Sequence, residues 1–216
     1  MFDGDDRALV RPRVKICGIT NAADAEAAID FGADALGFNF YSGSKRFIAV
    51  EGAADWIRRL PPEILKVAVL VNPKWEEALA MANLPFIDAV QLHGSEPPEF
   101  CRRIADRGIQ FAKAIPVAGK QLRGLPDFFT QTIILDSGRA ENFGGSGQTF
   151  PWEIARDFVE EHRDLRVILA GGLTPENVAN AIEVVRPFGV DVTTGVELSP
   201  GRKDHGRLRA FIAAAR

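Results

Sequence analysis

The chain has 216 residues, 46% of them hydrophobic and 25% charged, with a formal net charge of −3. That suits a globular protein long enough to bury its own core, and no basic excess advertises nucleic acid or an anionic membrane surface. The two cysteines are too few for a disulfide framework, and no apolar run approaches the roughly eighteen residues of a membrane span, so the expected setting is the reducing cytoplasm.

The segment 1–12 is acidic and has no apolar core of a secretory signal, so it reads as a flexible tail ahead of one domain over 13–216. From there one theme repeats. An apolar run rich in Val, Ile, Leu or Phe leads into a polar or glycine-bearing loop, and then into a segment with helical spacing. The expected strands are 14–19, 35–41, 65–72, 89–94, 110–117, 131–137, 166–173 and 190–197. Between them the spacing predicts helices within 21–32, 50–60, 73–84, 96–108, 151–163 and 174–187, with a weaker one after Ala118 and a last one in 203–216. Gly32 and Gly108 stand where helices end. Thr174 and Pro175 stand where one begins.

Strand–helix alternation implies parallel strands joined by crossover helices. Eight such units fit a single (β/α)8 TIM barrel of the α/β class. The alternative is an open doubly wound sheet. Against it, no GxGxxG follows the first strand. The longest irregular piece is 136–150; its length and glycines mark a functional loop.

In such a barrel the active site lies at the C-terminal ends of the strands. Polar residues expected there are Cys17, Asn39, Asn72, His93, Asp136 and Glu197, with Asp191 inside the eighth strand. Each has a plainer reading. Cys17 fits a small buried apolar residue, Asp136 a turn residue before Ser137 and Gly138, and His93 a structural histidine. In "VKICGIT" the alternation sets Lys15 and Cys17 on one face, with Val14 and Ile16 on the other. Strand seven runs into "AGGLTPEN" and strand eight into "TTGVELSPG". Glycine-bearing loops at the last two strands of a barrel commonly hold a phosphate on main-chain N–H groups. A P-loop is excluded, because no GxxxxGK[ST] occurs.

"KICG", "GADALGFNFYSGSKR", "QLHG", "LDS", "GGSGQTFPW", "ILAGGLTPENV" and "VDVTTGVELSPGRKD" follow one another through residues 13–216. In this order and combination the chain resembles the phosphoribosylanthranilate isomerases of tryptophan biosynthesis. The resemblance implies an Amadori rearrangement of N-(5-phosphoribosyl)anthranilate to 1-(2-carboxyphenylamino)-1-deoxyribulose 5-phosphate. It implies Cys17 as general base and Asp136 as general acid. It implies Arg46 as the grip on the anthranilate end and Asp191 as a lining residue. Gly145, Gly171, Gly172, Thr194 and Gly195 match the phosphate loops. The expected partner is therefore a small phosphorylated substrate, with no metal or other cofactor, in a monomer or homodimer. Departures are modest: no proline follows Tyr41, threonines stand at 193 and 194 where serines are common, and Pro151 replaces a common aspartate.

The acid and base have to be reactive together. At pH 7 an ordinary thiol is about 3% thiolate and an ordinary aspartic acid roughly 0.1% protonated, so surroundings or substrate must favour the working forms. Lys15 is the expected cation beside the thiol. Rival readings are an indole-glycerol-phosphate synthase, which would want a lysine acid such as Lys15 or Lys113, a sugar-phosphate epimerase, and a non-catalytic phosphosugar-binding barrel.

Overall fold

The structure, a computed structural model, describes residues 11–117, 122, 124–138 and 149–216. Eight parallel strands close into a barrel in sequence order. They are β1 (Arg13–Cys17), β2 (Ala35–Asn39), β3 (Leu65–Leu70), β4 (Ala89–Leu92), β5 (Phe111–Pro116), β6 (Thr132–Asp136), β7 (Arg166–Leu169) and β8 (Gly189–Val192). β1 pairs with both β2 and β8, and in the closing ladder Lys15 stands opposite Asp191.

The helices are α1 (Ala22–Phe31), α2 (Val50–Ile57), α3 (Trp75–Ala82), α4 (Pro98–Ala105), α5 (Trp152–Glu161), α6 (Val178–Val185) and α7 (His205–Ala214). α1 shows why these segments start and stop where they do. Asn21 caps it by accepting from the Asp24 N–H at 2.9 Å, and Gly32 ends it at φ 103°, a conformation cheap for glycine.

Alternation along each strand sorts its side chains into two layers. Val14, Ile16, Leu36, Phe38, Ile133, Leu135, Val190 and Val192 join the core beneath the helices. Val67, Ala112, Ala114, Ile134 and Ile168 form a smaller cluster inside the barrel. Small interior residues leave room there for buried polar ones: Lys15, Gln91 and Asp191.

Three expectations need correcting. The weaker helix after Ala118 lies partly outside the described residues, and the described part, Leu122 and 124–131, is not helical. α6 begins at Val178 rather than at Pro175, because Asn177 N–H first closes a tighter turn on the Thr174 carbonyl at 3.2 Å. Strand eight stops at Val192. The chain then makes a 3₁₀ turn (Thr194–Val196) and a short antiparallel hairpin, β9 (Glu197–Ser199) with β10 (Arg202–Lys203). Glu197 therefore sits on a hairpin at the barrel rim, not at a strand end of the barrel.

Candidate active site

Two cavities open at the C-terminal end of the barrel, and Asp136 lines both. One, of about 180 Å³, is walled by Gly171, Gly172, Thr174, Asp191, Thr194 and Gly195, among others. The other, of about 310 Å³, lies over β4, β5 and β6. It is bounded by His93, Lys113 and an apolar wall that includes Pro97, Ile115, Pro126 and Phe128.

The smaller cavity unites most of the expected site. Gly171 and Gly172 turn the β7 loop with φ of 83° and 68°. The first N–H groups of the 3₁₀ turn, at Thr194 and Gly195, have no acceptor within a turn, and its N-terminal residue offers no side-chain cap. Gly195 also permits packing: a Cβ there would fall on the Leu173 carbonyl. The two loops thus lie against each other and wall one space. Gly145 lies outside the described residues.

Asp136 is 8% exposed. Its Oδ1 accepts from the Gly138 N–H at 2.7 Å, so the turn reading holds for one oxygen. Its Oδ2 faces His93 Nε2 at 3.8 Å. Gln91 Nε2 donates to His93 Nδ1 at 2.8 Å, which turns the Nε2–H of the ring towards Asp136. Burial pushes His93 below its ordinary pKa, against the opposing charges of Asp136 and Asp191, and Lys15 and Lys113 add to the lowering. The ring is therefore neutral at pH 7 and sets no cation against the carboxyl.

Cys17 ends β1, 8% exposed and free of any disulfide. A Cβ at Gly37 on the next strand would lie 2.8 Å from its Sγ and 3.0 Å from Lys15 Nζ, so glycine is what lets thiol and ammonium share this corner. Lys15 is beside the thiol as expected, but its charge is already matched. Its Nζ donates to Asp191 Oδ1 at 3.0 Å in a pair whose side chains are 1% and 6% exposed. Burial would lower the Lys15 pKa, and the Asp191 and Cys17 charges more than offset it, so it stands above its ordinary value.

Arg46 reaches the same rim from the β2 loop. Its Nε donates to Glu197 at 2.9 and 3.2 Å, and its Nη2 to Glu197 at 2.6 Å and to Thr194 Oγ1 at 3.3 Å. Lys203, fully buried, donates to Glu197 at 3.2 Å and to the Cys17 carbonyl at 2.7 Å. The part played by Lys203 was not legible in the sequence. "GVELSPGRKD" was its only trace, and nothing local says where its ammonium goes.

Asn39 and Asn72 shape loops instead of facing substrate space. Asn39 binds Ser44 and the Tyr41 N–H, and Asn72 Oδ1 accepts from the Ser95 N–H. Lys113 is bound to Glu96 at 2.8 Å, with further bonds to the Gly94 and Ala114 carbonyls, so it is tied at the rim and not poised as a free acid. Among the described residues no three His, Cys, Asp or Glu side chains are grouped to hold a metal, and no helix is long and apolar enough to cross a membrane.

The family model for N-(5'phosphoribosyl)anthranilate (PRA) isomerase matches residues 14–214. The N-(5'-phosphoribosyl)anthranilate isomerase of Thermotoga maritima is 46% identical over 205 residues, which is 94% of this chain and 98% of that one. The crystal structure of phosphoribosyl anthranilate isomerase from Thermotoga maritima superposes with a TM-score of 0.81 at 44% identity, covering 94% of this chain and 98% of its own. A phosphoribosyl anthranilate isomerase solved in complex with reduced 1-(o-carboxyphenylamino)-1-deoxyribulose 5-phosphate gives 0.77 at 42% identity, with the same coverage of both chains. The match runs from the first strand of the barrel into its last helix, and by it the chain belongs to the N-(5'-phosphoribosyl)anthranilate isomerase family.

Proposed function

We propose that this barrel isomerises N-(5'-phosphoribosyl)anthranilate with Cys17 as general base and Asp136 as general acid. The observation that supports this reading is the shared cavity, in which Asp136 and Asp191 open into the same space as the Gly171–Gly172 and Thr194–Gly195 loops, with Cys17 beside Lys15, the partner of Asp191. The ligand of the solved relative bears a phosphate at one end and an aromatic carboxylate at the other. In this chain the phosphate goes to main-chain N–H groups of those loops, Gly172, Thr194 and Gly195 among them. Arg46 takes the carboxylate with the part of its guanidinium that Glu197 and Thr194 leave open.

The chemistry needs two proton transfers on the sugar. Asp136, as the neutral acid, gives its proton to the furanose ring oxygen. The C1–O bond breaks and the anthranilate nitrogen forms a protonated imine with C1. Cys17, as thiolate, takes the proton from C2, and those electrons form the C1–C2 double bond of an enolamine. The enol then loses its O–H proton while C1 gains one, which yields the 1-deoxyribulose ketone. The atoms balance as an isomerisation. Strands β1 and β6 lie three steps apart around the closed barrel, so acid and base approach the sugar from different sides.

Loss of phosphoribosylanthranilate fluorescence on adding the purified protein tests the reading. Turnover is expected. A folded protein that binds the product but leaves the substrate unchanged would favour a non-catalytic phosphosugar-binding barrel.

A further inference from the structure

The polar contacts of Arg46 are unevenly distributed over its guanidinium. Glu197 takes the Nε–Nη2 edge with bonds of 2.6 to 3.2 Å, and Thr194 Oγ1 is 3.3 Å from Nη2. Nη1 has no acceptor among the described residues. The Glu197 carboxylate is 3% exposed and is itself held from two further directions. Lys203 Nζ and the Gly201 N–H each reach its Oε1 at 3.2 Å. Lys203 Nζ also donates to the carbonyls of Cys17 at 2.7 Å and Thr193 at 3.3 Å, which satisfies its three protons. One buried ammonium thus ties the hairpin to the ends of β1 and β8. The stem of Arg46 runs across Gly18, the residue after the thiol: a Cβ there would lie 2.8 Å from Arg46 Cδ.

We infer that Glu197 is a positioning residue for substrate recognition. It clamps one edge of Arg46, turns the Nη1 end of the fork to the aromatic carboxylate, and is itself locked by Lys203 to the strand that carries Cys17. The inference rests on the reading of Arg46 as the carboxylate grip. Two cations around one carboxylate leave one net positive charge at this rim, which suits one arriving anion. Without Glu197 the guanidinium would rotate among several acceptors and lose the advantage of preorganisation.

The test is a double-mutant cycle read by KM, kcat and ligand affinity. Wild type, Glu197→Gln, Arg46→Ala and the double variant are titrated with two reduced product analogues, one with and one without the aromatic carboxylate. Glu197→Gln should raise KM by about ten-fold or more, the size of a lost charge-assisted hydrogen bond, with kcat changed less than KM. It should weaken only the carboxylate-bearing analogue, and it should add nothing in the Arg46→Ala background. An unchanged KM, an equal loss for both analogues, or a loss that persists without Arg46 would each overturn the inference. If Arg46→Ala itself leaves the preference for the carboxylate intact, the grip assignment fails, and that result is distinct. Should Glu197→Gln not fold, Glu197→Asp keeps the charge beside Lys203 and withdraws it from Arg46, so the same cycle applies.

Discussion

The two sides of the barrel mouth are built from different materials. On the side of β7, β8, β1 and β2, charge is met by charge: Lys15 with Asp191, Arg46 with Glu197, and Glu197 with Lys203, each at 3.2 Å or less. On the side of β4, β5 and β6 there is one such pair, Lys113 with Glu96 at 2.8 Å, and Asp136 looks into a cavity with proline, isoleucine and phenylalanine in its wall, its near neighbour a neutral histidine. The difference follows from what each side has to do. In the proposed reaction the anions of the substrate go to the side that holds matched cations, although the chain as a whole is negative.

The largest effect should come from the acid on the apolar side. Asp136→Asn keeps the shape, and its amide oxygen can still accept from Gly138, but it has no carboxylic proton to give. The expected loss in kcat is the ~10²–10⁴-fold typical of a missing general acid, with product-analogue affinity nearly retained. Combined with Cys17→Ser it should be little worse than the more damaged single variant, because the two groups act as one unit.

On the charged side, Lys15→Met should cost about 3–5 kcal/mol in denaturant unfolding, because it strands a buried Asp191 carboxylate. Lys15→Met with Asp191→Leu should recover most of that. If the single change costs no more than a surface substitution, the two sides do not differ as described. Phe128→Ala on the apolar side should cost less than the ~3 kcal/mol lower bound for a fully buried ring, since Phe128 is only half-buried.

Acid titration should separate the sides by a smaller margin. Burial would raise the Glu197 carboxyl, but the Arg46 hydrogen bonds and the Lys203 and Arg46 charges more than offset it, so it lies below the usual carboxylate range. Asp24 is likewise lowered: burial opposes, and the Lys203 N–H, His205 and Asn21 prevail. A carboxyl depressed in the folded state stabilises above its unfolded pKa and loses that contribution as pH falls through its folded pKa. Stability should therefore be full at neutral pH and fall on acidification, with a shallower slope in Glu197→Gln. An unchanged slope would mean that Glu197 contributes nothing in the folded state.

Much of this was legible in the chain. Parallel strands buried on both faces read as apolar runs, so all eight were found in place. Alternation put Lys15 and Cys17 on one face of β1, and the closed barrel makes that face the interior one. Strand eight misled, because "VDVTTGVE" is a continuous β-favouring run, yet the chain leaves the barrel at Val192. The Glu197 clamp was hidden for a different reason: its partner Arg46 is 151 residues away, and a pairing at that separation leaves no periodic trace. Asp136 keeps its plain reading at one oxygen, which accepts from the Gly138 N–H, while the other faces His93 at the cavity.

Everything proposed for the reaction turns on the Cys17 thiolate removing the C2 proton. The most direct measurement is kcat of Cys17→Ser, with melting and product-analogue binding followed on the same preparation. A serine hydroxyl keeps the size and polarity but is a far poorer base near neutrality. A folded, binding-competent protein whose kcat falls by at least ~10²-fold is expected. Near wild-type turnover in such a protein would make Cys17 a buried structural residue and leave the C2 proton to another base.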